Sequence, residues 1–174
     1  MVCLCALPAV AIATRVHVLV HHIEAFKTTN TGRLAQVALG AGYERWGRPG
    51  EPTPTLPDGP ILLLFPFEDA RALARGDEGT LVVPDGNWPQ ARKIARRVSS
   101  QPNVVRVKLS DHESRYGLRR TQRADALSTF ESIAHALAIL EGPEVGNACL
   151  AMFDAFVSRH AKFASGAIHE PAVR

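Results

Sequence analysis

Apolar and polar positions alternate from Arg15 to His21, with Val16, Val18 and Val20 on one side and His17 and Leu19 on the other. That period of two predicts a strand, because successive side chains of an extended chain point to opposite faces. Leu34, Val37 and Leu39 then fit a helix, capped by Asn30 or Thr31 and ended by Gly40. Ile61-Leu62-Leu63-Leu64-Phe65 is continuously apolar, as a strand buried on both faces requires. Pro66 closes it, and Ala70, Leu73 and Ala74 predict a short helix. Leu81-Val82-Val83 predicts a strand that stops at Pro84. A helix opens with Pro89, where proline is tolerated, and another strand runs near Val104 to Leu109. Ser128-Thr129-Phe130-Glu131 has the form of a capping box and opens a helix through Ile133, Leu137 and Leu140. Gly142-Pro143 stops that helix, and a last one near Ala148 to Phe163 leads to a polar tail, 164–174. Strands alternating with helices predict an α/β fold: a mostly parallel sheet with helices on both faces.

Length adds that 174 residues make most naturally one domain, with a core of ordinary size. The stretch from Gly47 to Pro60, with five prolines and three glycines, reads as a loop inside that domain rather than a linker. Charged residues at 21% and hydrophobic ones at 46% are usual for a soluble globular protein. The net charge of +3 says little, but arginines and lysines concentrate between Arg92 and Arg123. That patch suits either a phosphate-bearing partner or a solvated face. No apolar run approaches the ~18 residues of a membrane span. The apolar start has an Ala-Ile-Ala like a cleavage site, yet it lacks a positive n-region and is interrupted by Pro8 and two cysteines. Cys3, Cys5 and Cys149 give no sensible disulfide framework, so a reducing cytoplasm is the expected location.

Candidate chemistry gathers in four clusters. In Asp85-Gly86-Asn87-Trp88, a strand ends in an acid and a tight turn, the way α/β folds present reactive groups at the carboxyl edge of a sheet. Asp85 reads as a candidate base or as a helix-stabilising acid, and Trp88 as a flat surface or core filler. The helix that follows pairs Arg92 with Arg96 and Lys93 with Arg97 at i,i+4 spacing. Such like-charged pairs repel unless a partner such as phosphate relieves them. Asn30-Thr31-Gly32-Arg33 offers polar side chains and backbone N–H groups at a helix start, suited to a carboxylate or phosphate, or to capping alone. Ser114 to Arg120, with Arg123 close behind, combines four arginines and Tyr116, fitting phosphate contact and base stacking or a solvated basic loop. His21 and His22 are adjacent on a strand and should point to opposite faces, which argues against a shared metal. Cys3 and Cys5 cannot close a tetrahedral zinc site, so no metal is expected.

Taken in order, these motifs resemble the DTW-domain family, which includes tRNA-uridine aminocarboxypropyltransferases. The resemblance rests on Glu24 to Leu34 with its Asn-Thr-Gly-Arg, on Asp85-Gly86-Asn87-Trp88-Pro89 with Ala91-Arg92-Lys93, on Ser114-x-Tyr116-x-Leu118-Arg119, and on Ser128-Thr129-x-Glu131. It covers about residues 3 to 160. Asn87 stands where the family signature has threonine. By the same resemblance Cys3 and Cys5, within 1–14, correspond to the end of a cysteine-rich segment common in the family, either lost here or lying ahead of Met1.

The resemblance extends to the SPOUT class of knotted α/β proteins, which bind S-adenosylmethionine at the carboxyl edge of the sheet. It implies a single DTW domain over 1–174 that transfers the 3-amino-3-carboxypropyl group of S-adenosylmethionine to N3 of a tRNA uridine, releasing methylthioadenosine. It makes Asp85 the base and Trp88 the group that positions cofactor or target. Asn30, Thr31, Gly32, Arg33, Phe65, Pro66, Gly86, Asn87, Ser128, Thr129 and Glu131 would line the cofactor pocket. Arg92, Lys93, Arg96, Arg115, Tyr116 and Arg119 would meet tRNA. The competing readings are methyl transfer from the same cofactor, a non-catalytic RNA-binding module, and a transferase acting on free nucleotides. No membrane or obligate protein partner is expected, and a homodimer is compatible with the class.

Overall fold

The computed structural model describes residues 9–109 and 127–164. Val16–His21 forms β1, Thr31–Leu39 α1, Gly42–Trp46 β2, Ile61–Leu64 β3, Arg71–Ala72 β4 and Thr80–Asp85 β5. Trp88–Val98 is α2, Val104–Lys108 is β6, and Thr129–Leu140 and Pro143–Ala164 are α3 and α4. Among the described residues the six strands form one all-parallel sheet in the order β2-β1-β5-β3-β6-β4. This is the α/β architecture that the alternating elements predict.

Alternation along the central strands divides the core in two. Val16, Val18, Leu62, Leu64, Leu81 and Val83 face one way and pack under α1, α3 and α4, where Phe130, Ile133, Leu137, Phe153 and Phe156 are buried. Leu19, Ile61, Leu63 and Val82 face the other way and meet Ala91, Ile94, Ala95 and Val98 of α2. Burial on both faces is why β3 is apolar at every position, and β5 from Leu81 to Pro84, rather than at every second one.

Strand β5 runs on through Pro84 to Asp85, two residues past the predicted stop. The reason lies in which neighbour each amide faces. Thr80 N–H donates to Pro60 O, on the β3 side, and Leu81 N–H donates to Arg15 O, on the β1 side. By alternation the nitrogen of Pro84 faces β3, whose pairing with β5 ends at Val82. The missing donor therefore costs no ladder bond, while pairing to β1 continues to Val20 opposite Asp85. The acid is thus delivered at the end of a strand that is still pinned on one side.

Three further departures have local causes. The short helix predicted around Ala70, Leu73 and Ala74 is absent; Arg71 and Ala72 pair in parallel with Val107 and Lys108 as β4. The open edge of β6 supplies acceptors for this segment, as where Leu73 N–H meets Lys108 O at 2.9 Å. Asp77 holds the segment by pairing with Arg71 at 2.7 Å. Strand β2 has no apolar period because it is an edge strand, half exposed with Glu44 and Arg45 in it. Helix α4 begins at Pro143, five residues before the expected Ala148, so the proline that stops one helix also starts the next.

Burial lowers the proton affinity of His17, His21 and His160 below the ordinary value of 6.5. The unfolded chain takes up these protons near 6.5 and the folded chain only at lower pH. Stability should therefore fall as pH drops through and below 6.5. A urea midpoint lower at pH 5.5 than at pH 7.5 is expected, with the difference reduced in His160→Leu.

Candidate active site

Asp85, at the carboxyl end of β5, is 1% exposed. A carboxyl group removed from water needs hydrogen-bond donors around it. Two come from distant elements: Asn30 Nδ2 donates to Oδ2 and the Thr129 hydroxyl donates to Oδ1. Asn30 is the N-cap of α1, and its other side-chain atom, Oδ1, accepts the Arg33 N–H at 2.8 Å. This double use explains an amide here, since an aspartate would cap the helix equally well but could not donate to Asp85. Thr129 opens α3, where the Ser128 hydroxyl accepts the Glu131 N–H and the Glu131 carboxylate accepts the Ser128 N–H. The predicted capping box is therefore present, buried, and spent on aiming Thr129.

Gly32 makes the junction possible. A Cβ there would lie 2.8 Å from Asp85 Oδ2 and 3.0 Å from Val18 Cγ1. Beside it, Thr31 is 1% exposed and its hydroxyl has no hydrogen-bond partner among the described residues. Tyr43 of β2, which no motif singled out, approaches Asn30 Oδ1 at 3.5 Å. Burial, reinforced by the charge of Asp85, pushes its phenol up to about 12, so at neutral pH Tyr43 is a hydrogen donor.

Next to this buried centre lies an open aromatic and cationic surface. Asn87 caps α2 and forms a reciprocal capping box with Gln90, the role a threonine at this position would share. Gly86 keeps that turn tight: a Cβ on it would meet Gln90 Cβ at 2.8 Å. The cap directs Trp88 outward, 45% exposed, with its ring centroid 5.1 Å from Phe65 at the end of β3. Phe65 in turn meets Phe67 at 4.9 Å, and the Arg106 guanidinium lies 5.6 Å from the Phe67 ring centre. Trp88, Pro89, Arg92, Lys93 and Arg96 line a shallow recess of about 350 Å³. Among the described residues, no carboxylate pairs with Arg92, Lys93 or Arg96.

The structure thus gathers Asn30, Gly32, Asp85 and Thr129 into one contact set, and Phe65 with Trp88 into another. Pro66 and Arg33 are exposed close by. Arg115, Tyr116, Arg119 and the rest of the Ser114 cluster, with Cys3 and Cys5, lie outside the described residues. One expectation fails: the rings of His21 and His22 are not on opposite faces but 4.6 Å apart, because β1 ends at His21 and alternation ends with it. Among the described residues no group of three or more His, Cys, Asp or Glu side chains could hold a metal ion. Nor is any described helix long and apolar enough to cross a membrane.

Comparison of the sequence with known proteins shows the family. The model of the DTW domain matches residues 1–161, most of the chain. The protein belongs to the DTW domain family. It is 31% identical, over 157 residues, to tRNA-uridine aminocarboxypropyltransferase 2 of Drosophila melanogaster, covering 79% of this chain. The chain spans 61% of that relative's length. No solved structure matches significantly. For this DTW domain, Asn87 in place of the signature threonine preserves the helix cap, and the aspartate and tryptophan of the signature serve two different surfaces. Asp85 faces inward, to α1 and α3, and Trp88 faces outward, beside the recess.

Substitutions at two positions test the junction. In Gly32→Ala the new methyl must displace a carboxylate pinned by Asn30 and Thr129, so a loss of about 1–3 kcal/mol is expected despite alanine's better helix propensity. Asn30→Asp keeps the cap and places like charges together; it should destabilise more than Asn30→Ser, a capping residue that lacks the charge. Urea denaturation of the three variants measures both effects.

Proposed function

We propose that this protein is a tRNA-modifying transferase that moves the 3-amino-3-carboxypropyl group of S-adenosylmethionine to N3 of a tRNA uridine. The single observation that carries the reading is the Asp85–Thr129 pair, at the sheet's carboxyl edge beside an exposed aromatic and cationic surface. A transferase acting on a polyanion needs that combination: a proton acceptor screened from water, a stacking face and phosphate contacts.

The residues present fit the donor. The unpartnered hydroxyl of buried Thr31, the first-turn N–H groups of α1 and the nearby Arg33 suit its carboxylate. The Phe65–Trp88 pair at the ends of β3 and β5 suits an adenine ring. Bound there, S-adenosylmethionine supplies an activated γ-carbon, the new N–C bond forming as the C–S bond to methylthioadenosine breaks. The chain's own task is to take the imide proton of the uridine. Thr129 donates its hydroxyl hydrogen to Asp85 and keeps two lone pairs, so it can receive the N3 proton while passing its own to the carboxylate. Asp85 thereby acts as the base through Thr129, from a position sealed by Asn30 and Gly32. Trp88 positions the donor through that stack on its adenine. Arg92, Lys93 and Arg96 take phosphates, joined by Arg115, Tyr116 and Arg119 in this reading. A SPOUT-like threading of the carboxyl-edge loops is part of the same proposal.

Incubation of the full chain with S-adenosylmethionine and unmodified tRNA, followed by nucleoside mass spectrometry, should yield a uridine carrying the aminocarboxypropyl mass, together with methylthioadenosine. A methylated nucleoside with S-adenosylhomocysteine would overturn the reading. Thr129→Val, which keeps the shape and removes the hydroxyl, should lower kcat on the order of a hundredfold or more. Thr129→Ser should stay within about tenfold of the wild type, because it retains the relay.

A further inference from the structure

We propose that Phe26, on the turn that follows β1, is a second stacking platform, holding an unpaired nucleotide of the tRNA next to the one that reacts. This rests on the tRNA reading above and adds to it a specific contact on the opposite flank of Asp85. Among the described residues five large apolar side chains are exposed, and Phe26 is the most exposed at 72%. Three of the five, Ile23, Phe26 and Trp88, follow the carboxyl ends of β1 and β5. These two strands are neighbours, with Val20 paired to Asp85, so their loops leave the sheet side by side.

An exposed phenylalanine on a loose loop would be unremarkable, but this one is held. It ends a single 3-10 turn, Glu24–Phe26, whose Glu24 is buried. Lys27 closes the turn twice, through its N–H to Glu24 O at 3.0 Å and its Nζ to Glu24 Oε1 at 2.7 Å. Upstream, His22 N–H binds Trp46 O at 2.9 Å, and downstream, Asn30 N–H binds Lys27 O at 3.1 Å. Arg45 of β2 sets its guanidinium 5.7 Å from the ring centre. The ring is therefore presented to solvent at little entropic cost on binding, with a cation beside it.

Charge decides the kind of partner. Lys27 closes the turn, Arg45 lies against its ring and Arg33 stands in the first turn of α1, while Arg92, Lys93 and Arg96 lie on the other flank of the Asp85 junction. A polyanion is matched by this distribution, and an aromatic ring with an arginine is the arrangement that takes bases without reading their identity. The arrangement recurs on both flanks: Arg45 on Phe26 toward β2, Arg106 on Phe67 beside Phe65 and Trp88 toward β3. A uridine drawn toward the central junction has its chain neighbours above these two platforms.

Direct binding of unmodified tRNA to the full chain, over a series of salt concentrations, tests this without relying on turnover. Phe26→Ala should weaken binding about tenfold, the size of one base–aromatic stack, with an unchanged dependence of log affinity on log salt. Phe26→Trp should restore binding. Arg45→Met should reduce the salt slope as well, because it removes a cation. Thermal stability and S-adenosylmethionine affinity should be unaltered in Phe26→Ala. Wild-type binding with an equally strong Phe26→Ala variant would overturn the platform and leave the tRNA reading standing. Absence of tRNA binding by the wild type would overturn both. Loss of self-association in Phe26→Ala, with tRNA binding intact, would make the surface a protein contact and overturn the platform.

Discussion

The burial of Asp85 is the constraint around which the carboxyl edge is organised. A carboxyl group at 1% exposure is tolerated only where donors reach it, and no backbone segment next to Asp85 in sequence supplies both of those seen. The N-cap of α1 and the first residue of α3 do so instead. That demand selects an amide at 30, a hydroxyl at 129 and the absence of a side chain at 32. It also ties the helical layer to the sheet by polar contacts at one end, while apolar packing does so along the rest.

Around this closed centre the edge is open, and the two regions differ in physical character. The centre is small and fully engaged, with the Tyr43 phenol held protonated beside it. The rim consists of rings and guanidinium groups at the ends of four adjacent strands. Such a division keeps the Asp85 carboxyl group away from bulk water while leaving the rings and cations where water can reach them. Both are set on rigid parts: strand ends, capped helix starts and one pinned turn.

Much of this was legible in the chain. Elements with two buried faces or a clear helical stripe, such as β3, α1 and α3, follow directly from periodicity, and the caps at Asn30 and Ser128 lie where their side chains suggest. Edge strands were not legible. In β2 one face and the outer edge see solvent, so Glu44 and Arg45 interrupt any pattern, and β4 forms because β6 offers it acceptors rather than because Arg71 and Ala72 favour extension. For the site, Asn30, Asp85 and Thr129 each stood in a recognisable motif. Their mutual contact did not, because it joins positions 55 and 44 residues apart. Tyr43, Phe26, Arg45 and Arg106 carry no local signal at all; an exposed ring next to a cation is a property of the surface, and only the folded chain brings the two together.

Those long separations have a consequence for how the protein comes into being. During synthesis β5 and its acid leave the ribosome well before Thr129, and α1 is already available to offer Asn30. A nascent chain lacking α3 therefore lacks the Thr129 donor to Asp85 and leaves the apolar face of β1, β3 and β5 without much of its cover. The step that docks α3 brings Phe130, Ile133 and Leu137 into the core and Thr129 to Asp85 together. A partly made or misassembled chain is thus also a chain in which the hydrogen-bonded junction at Asp85 is incomplete.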